Sequence, residues 1–186
     1  RFVDEAFYTP AGWNSLCFNP LRQTEIKNIA PTENDTIFRK GIVRGTVHDP
    51  GAAMLGGVCG HAGLFGNAYD LARLMHMLRN GGSYGGTDWF RPETIADWTR
   101  QVDSDPQHRK ASGFDRPSNE PDSGPTCNEA SFSSFGHSGF TGTLAWADPD
   151  EDIIFIFLSN RTYPDAENRK LIEWDVRTKM QHEVYQ

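Results

Sequence analysis

Positive charge is scarce in this 186-residue sequence: 18 Lys and Arg stand against 25 Asp and Glu, a formal net charge of −7. With no basic run, that balance argues against a nucleic-acid partner or an anionic membrane surface. Long apolar runs are lacking too. The longest, Ile153 to Leu158, has six residues, against the ~18 of a membrane span, so no span is expected. Cysteine is sparse: Cys17, Cys59 and Cys127 form no CxxC pair. Neither a zinc site nor a full disulfide framework is expected from them. Catalytic signatures are missing as well. Gly136-His137-Ser138-Gly139-Phe140 fails a Gly-x-Ser-x-Gly pattern at its last place, no Ser is followed three places on by Lys, and no Tyr two places on by Asn. There is no His-Glu-x-x-His, no Walker loop and no dinucleotide fingerprint, so no metal and no cofactor is expected.

What remains is a globular composition, 37% hydrophobic and 23% charged, of about one domain's length. The chain opens Arg1-Phe2-Val3-Asp4, without an initiator Met or a signal-peptide core, which suggests a piece of something longer. Its first fifty residues carry scattered apolar residues and several prolines, and are expected to be loop with short helices. Gly51 to Gly66 holds six glycines in sixteen residues, either a tightly packed buried turn or the wall of a cleft. Asn67 to Arg79 predicts a helix, with Asn67 capping the amide three residues on and Leu71, Leu74, Met75 and Leu78 on one face. A second helix follows Pro92, with Ile95 and Trp98 as its apolar stripe. Residues 101–130 form a long polar loop, unusual in one domain unless it covers something.

The last third is strongly patterned. Residues 133–140, 143–147 and 153–158 predict three consecutive antiparallel strands, the last a buried strand rich in β-branched residues. Residues 165–185 predict a helix packed on the sheet through the row Ile172, Val176, Met180 and Val184. The fold class is thus α+β: a three-stranded antiparallel sheet with a C-terminal helix (131–186) beside a mainly helical and loop region (1–130).

Chemistry points to Phe135-Gly136-His137-Ser138-Gly139-Phe140-Thr141-Gly142. Glycine inside a strand marks a bulge or the close approach of a ligand or backbone. The alternatives are a bulged hairpin with a surface His137, or a strand edge whose amides bind an acyl group and supply one oxyanion-hole donor. His48 and His61, with Asp49, form either a structural cluster or a cleft-lining pair able to titrate near neutrality. Two His and one Asp fall short of a convergent metal set.

Two stretches in this order carry a resemblance. Gly56-Gly57-Val58-Cys59-Gly60-His61-Ala62-Gly63-Leu64-Phe65, then Asn67-Ala68-Tyr69-Asp70-Leu71-Ala72-Arg73 and Asn80-Gly81-Gly82, are similar to the serine β-lactamase-like family, which includes class C β-lactamases, D-Ala-D-Ala carboxypeptidases and esterases. His137-Ser138-Gly139-Phe140-Thr141-Gly142, followed by Trp146-Ala147-Asp148-Pro149 and Phe157-Leu158-Ser159-Asn160-Arg161, resembles that family's third motif and two following strands. Val47-His48-Asp49 with Gly60-His61-Ala62-Gly63 further resembles a subgroup fused behind a β-N-acetylglucosaminidase-type glycoside hydrolase.

The resemblance implies a partial β-lactamase-like fold, namely the C-terminal part of a serine hydrolase that cleaves amides or esters through an acyl-enzyme. It implies that the nucleophilic Ser, its Lys and the Tyr lie upstream of Arg1, and that the isolated chain is inactive. His137 takes the place where family members carry Lys or His. Phe140 offers its amide to the oxyanion, and Ser138, Gly139, Thr141, His61 and His48 line the substrate site. The implied partners are a small-molecule or peptidoglycan-like substrate and the remaining N-terminal part of the domain, in a periplasmic or extracellular setting. The alternative is a non-catalytic binding or accessory module that uses the same cleft.

Overall fold

The computed structural model describes residues 2–102, 109–118, 120 and 123–186. Part of the predicted 101–130 loop therefore lies outside the described residues.

The first fifty residues hold more pairing than loop-with-helices suggests. A π-helical turn at Asp4–Tyr8 leads to β1 (Cys17–Phe18). Then β2 (Glu33–Asp35) and β3 (Gly41–Val43) pair antiparallel. Helix α1 (Pro50–Met54) starts where Asp49 accepts the Ala52 N–H at 2.6 Å, with Pro50 at its first turn. The glycine-rich stretch after α1 is largely exposed, so it is not a buried turn. It returns to pair β4 (Leu64–Phe65) with β1. Gly63 sits at φ +116°, and a Cβ there would overlap the Gly57 carbonyl, so only glycine closes this loop.

Helix α2 (Ala68–Arg79) forms as its sequence predicts: the Asp70 N–H donates to Asn67 Oδ1 at 2.9 Å, satisfying one free amide of the first turn. It is followed by the hairpin β5 (Ser83–Tyr84) and β6 (Thr87–Asp88), and by α3 (Pro92–Thr99). Ile95 is buried, whereas Trp98 is half-exposed and packs edge-on against Phe90.

The three expected strands are present as β7 (Phe135–Ser138), β8 (Leu144–Asp148) and β9 (Ile153–Phe157), antiparallel in that order. Alternation gives the sheet two faces. One presents Phe135 and Ala147 and is covered by α2; with Trp13, Leu16, Met75, Met77, Leu78 and Ile95 it makes the main core. The other buries Leu144, Trp146 and Phe155. The outer edge of β7 is partly covered by the polar loop, since Asp115 and Gly136 exchange backbone hydrogen bonds of 2.7 and 3.1 Å.

The end of the chain departs from expectation. Instead of one helix there are two, α4 (Lys170–Glu173) and α5 (Val176–Tyr185), broken at Asp175, whose backbone is left-handed at φ +53°. Most of the predicted apolar row faces outward: Ile172, Met180 and Val184 are each about half exposed, and Val176 is partly buried. Polar side chains dock α5 instead. Gln181 is fully buried and accepts the Cys127 N–H at 3.0 Å, and Tyr185 donates to Asp148 Oδ2 at 2.7 Å. Among the described residues, the apolar cluster of Leu144, Trp146 and Phe155 takes Ile153 and Phe157 against it and no residue of α5.

Candidate functional site

The turn between β7 and β8 organises the site. Gly136 stands opposite Trp146. A Cβ at Gly136 would overlap both the Ala145 carbonyl and the Trp146 ring, so this glycine answers first to packing. His137 pairs with Ala145 and shares the face of Phe135 and Ala147, but it lies beyond the core and is exposed. Its Nδ1 is 2.7 Å from the Ser138 carbonyl oxygen, an acceptor that holds the ring when that nitrogen carries the proton.

Residues 139–142 close the turn with their own backbone. The Gly142 N–H donates to the Gly139 carbonyl at 2.9 Å and the Gly139 N–H to Thr143 at 2.8 Å. Gly142 takes φ +103°, which suits glycine alone. Phe140 and Thr141 occupy the two corners. The Phe140 N–H meets no acceptor among the described residues and stands at the tip of the hairpin, available to an incoming oxygen.

Two elements remote in sequence converge on the Phe140 ring. His48 stacks on it, with ring centroids 5.2 Å apart and planes at 27°. The Arg161 guanidinium carbon lies 4.6 Å from its centroid. Arg161 follows β9, and its N–H donates to the Thr141 carbonyl at 2.9 Å. Beside it opens a shallow cavity of about 280 Å³, lined among others by Arg161, Asn168, Lys170, Leu171 and Trp174. A cavity with two cations and an apolar wall suits a ligand bearing a carboxylate on an apolar body.

The two candidate histidines, His48 and His61, go separate ways. The His61 Nε2 lies 3.2 Å from Asp49 Oδ1 and its side chain is largely exposed. The Asp49 carboxyl is held below the usual carboxylate range, chiefly by the Ala52 N–H and then by His61. His48 instead places its Nε2 3.2 Å from Glu33 Oε2, and both side chains are mostly buried. The structure thus unites His48 with Phe140 and pairs His61 with Asp49. The two do not form one cluster around Asp49. Among the described residues, no three His, Cys, Asp or Glu side chains converge as a metal set.

Glu33, Arg39 and Arg161 were not marked as site residues by the sequence. Arg39 is the hub behind His48. It donates to Asp35 Oδ2 at 2.9 Å, to Glu33 Oε1 at 3.2 Å, and to the carbonyls of Val47 and His48 at 2.6 Å each. The Asp35 carboxyl is held well below its ordinary range by Arg39 and by the backbone N–H groups of Phe38 and Ile37. Nothing in the spacing of these residues signals that they meet.

Comparison with known proteins matches this arrangement. The family model described as Beta-lactamase matches residues 4–178. Provisionally named D-alanyl-D-alanine carboxypeptidases of Salmonella paratyphi B and Salmonella newport are each 35% identical over 184 residues, covering 92% of this chain and 42% of the relative. The chain therefore spans less than half the length of these curated relatives. Among solved structures, a penicillin-binding protein homologue from Caulobacter crescentus is similar in fold, with a TM-score of 0.55 at 23% identity over 85% of this chain and 45% of that one.

Proposed function

Because the chain belongs to the β-lactamase family, whose members are serine hydrolases, we propose that it forms one wall of a catalytic cleft that cleaves amide or ester bonds through an acyl-enzyme. The observation that carries this reading is the hairpin tip, where the Phe140 N–H, which meets no acceptor among the described residues, stands two residues beyond the strand that exposes His137. The nucleophilic Ser, its Lys and the Tyr come from residues outside these 186. Attack by that Ser on the scissile carbonyl puts negative charge on its oxygen, and the Phe140 N–H supplies one of the two donors that stabilise it. Water then releases the acyl group.

His137 bonds the substrate carboxylate or the Tyr and does not attack. Ser138, Gly139 and Thr141 present the strand end to the acyl chain. Arg161 and Lys170 add positive charge beside the turn for a carboxylate-ended substrate. Peptides ending in D-alanyl-D-alanine, as in the cell envelope, have that chemistry, and the Salmonella relatives carry the name D-alanyl-D-alanine carboxypeptidase. A periplasmic or extracellular setting follows from such a substrate. His61, paired with Asp49 on the exposed loop, lines the outer rim.

The test is His137→Ala in the native-length polypeptide, assayed with a D-Ala-D-Ala peptide and a p-nitrophenyl ester. Loss of a charge-assisted hydrogen bond costs roughly 1.5–3 kcal/mol, so kcat/KM should fall about ten- to a hundredfold. A folded variant with wild-type kcat/KM would reduce His137 to a surface residue of the hairpin.

A further inference from the structure

Phe140 is 64% exposed, yet its ring is held from outside the hairpin. The turn does not need that hold in order to form, since Gly139, Gly142 and Thr143 already close it with two backbone hydrogen bonds. The contact from His48 is also more elaborate than an incidental stack. Arg39 takes the carbonyls of Val47 and His48 itself at 2.6 Å, which pins the backbone on which the His48 ring is mounted. The same guanidinium binds Glu33 Oε1, and the other oxygen of that carboxylate lies 3.2 Å from His48 Nε2. The hub thus pins the backbone of His48, and Glu33 lies at the edge of its ring without a hydrogen bond to Nε2, with side-chain exposures of 16% for His48, 15% for Glu33 and 19% for Arg39.

We propose that His48 is a positioning residue for the Phe140 turn: Arg39 pins the backbone that carries the imidazole, Glu33 lies at its Nε2 edge, and the stacked imidazole sets the direction of the Phe140 N–H. What the turn does in catalysis rests on the acyl-transfer reading above; the clamp itself is geometric and can be tested without it. The charged groups around His48 are Glu33 on β2, Arg39 in the β2–β3 connection, and Arg161 after β9, which shares the Phe140 ring. Asp49, next in sequence, turns its carboxylate to Ala52 and His61. Stacking, not charge on His48, is the part of the clamp that reaches Phe140, so an aromatic replacement should preserve it.

The experiment uses the native-length polypeptide as wild type, His48→Phe, His48→Ala and Glu33→Gln. Each is assayed for kcat and KM with a p-nitrophenyl ester and labelled with 15N-phenylalanine to follow the Phe140 amide by NMR. His48→Ala should lower kcat roughly tenfold or more with KM changed less than about twofold, the pattern of a contribution made in the transition state. It should also shift or broaden the Phe140 amide resonance. His48→Phe should keep kcat within about threefold of wild type and leave the amide resonance in place. Glu33→Gln should fall between them. A merely structural His48 would lower the folded fraction and leave kcat per folded molecule unchanged; that result, with the Phe140 amide unmoved, overturns the proposal. If His48→Ala does not fold, Glu33→Gln decides: an unmoved amide and wild-type kcat refute the clamp. If the wild type itself does not cleave the ester, the acyl-transfer reading fails, and the amide shifts alone judge the role of His48.

Discussion

The two faces of the three-stranded sheet are held by opposite means. Under α2 the contact is apolar: Met75, Met77 and Leu78 meet Phe135, Ala147 and Trp13, all buried. On the other face, α5 is fastened by polar side chains. Gln181 takes the Cys127 N–H, Arg177 donates to the Thr143 carbonyl at 3.2 Å, and Tyr185 reaches Asp148. Asp148 is fully buried and also accepts the Ser131 N–H at 2.8 Å and the N–H groups of Asp150 and Glu151 at 3.2 and 3.3 Å. A buried carboxylate is tolerable only when its lone pairs are met. The α2 face therefore depends on volume, and the α5 face on the identity of a few donors and acceptors.

The largest effect should come from the apolar side. Met77 is 1% exposed, and truncation to Ala removes buried surface and leaves a cavity. The expected loss is about 2–5 kcal/mol, read as a lower denaturant midpoint at unchanged slope. A loss under about 1 kcal/mol would mean that this core collapses around the gap, and the contrast between the faces would weaken.

On the polar side the matching test keeps the shape and deletes one donor. Tyr185→Phe takes one hydrogen bond from the buried Asp148 carboxylate and should cost about 1.5–3 kcal/mol, as for bonds to charged groups. The Tyr185 hydroxyl is pushed far above its ordinary pKa, first by burial and then by Asp148, so it is a donor throughout the working range. A neutral outcome for Tyr185→Phe would show that Asp148 is sufficiently held by Ser131 and the following turn.

The same contrast explains what was legible in the sequence. Helix α2 was visible because its cap and its apolar face both obey the helical period: Asn67 meets Asp70, and Leu74, Met75 and Leu78 point one way. The strands were visible in Ile153 to Leu158 and in the turn at Asp148 to Asp152. The buried face of α5 was not. Ile172, Val176, Met180 and Val184 recur as a core row would, but the unmet needs of Asp148 and of the Cys127 N–H selected Gln181 and Tyr185, and hydrophobic spacing takes no account of such needs. The site divides likewise. The hairpin with His137 and Phe140 stands out as glycines interrupting a strand. The partners of Phe140 do not, because His48 and Arg161 reach it only through the fold, and the Arg39 hub with Glu33 and Asp35 leaves no period to detect.

The smallest expected effect lies at the exposed edge of the polar docking, where His182 Nδ1 on α5 is 2.8 Å from Glu129 Oε1. The hydrogen bond and charge of Glu129 raise the His182 pKa, and His182 in turn is the first cause lowering that of Glu129. A raised histidine pKa contributes stability that is complete below the unfolded value of about 6.5 and fades as pH rises through the folded value. A lowered carboxyl pKa contributes stability that is complete above about 4.3 and fades as pH falls through the folded value. Both contributions are complete between those limits. Glu129→Gln should therefore lower Tm at pH 5.5 and have less effect at pH 8.5, toward which His182 loses its charge. Exposed ion pairs contribute little, so the difference should not exceed about 2–4 °C for a chain of this size. Equal losses at the two pH values would mean that Glu129 acts on α5 through its shape or through the side-chain hydrogen bond it shares with Cys127, and the polar face would then owe nothing to charge at this edge.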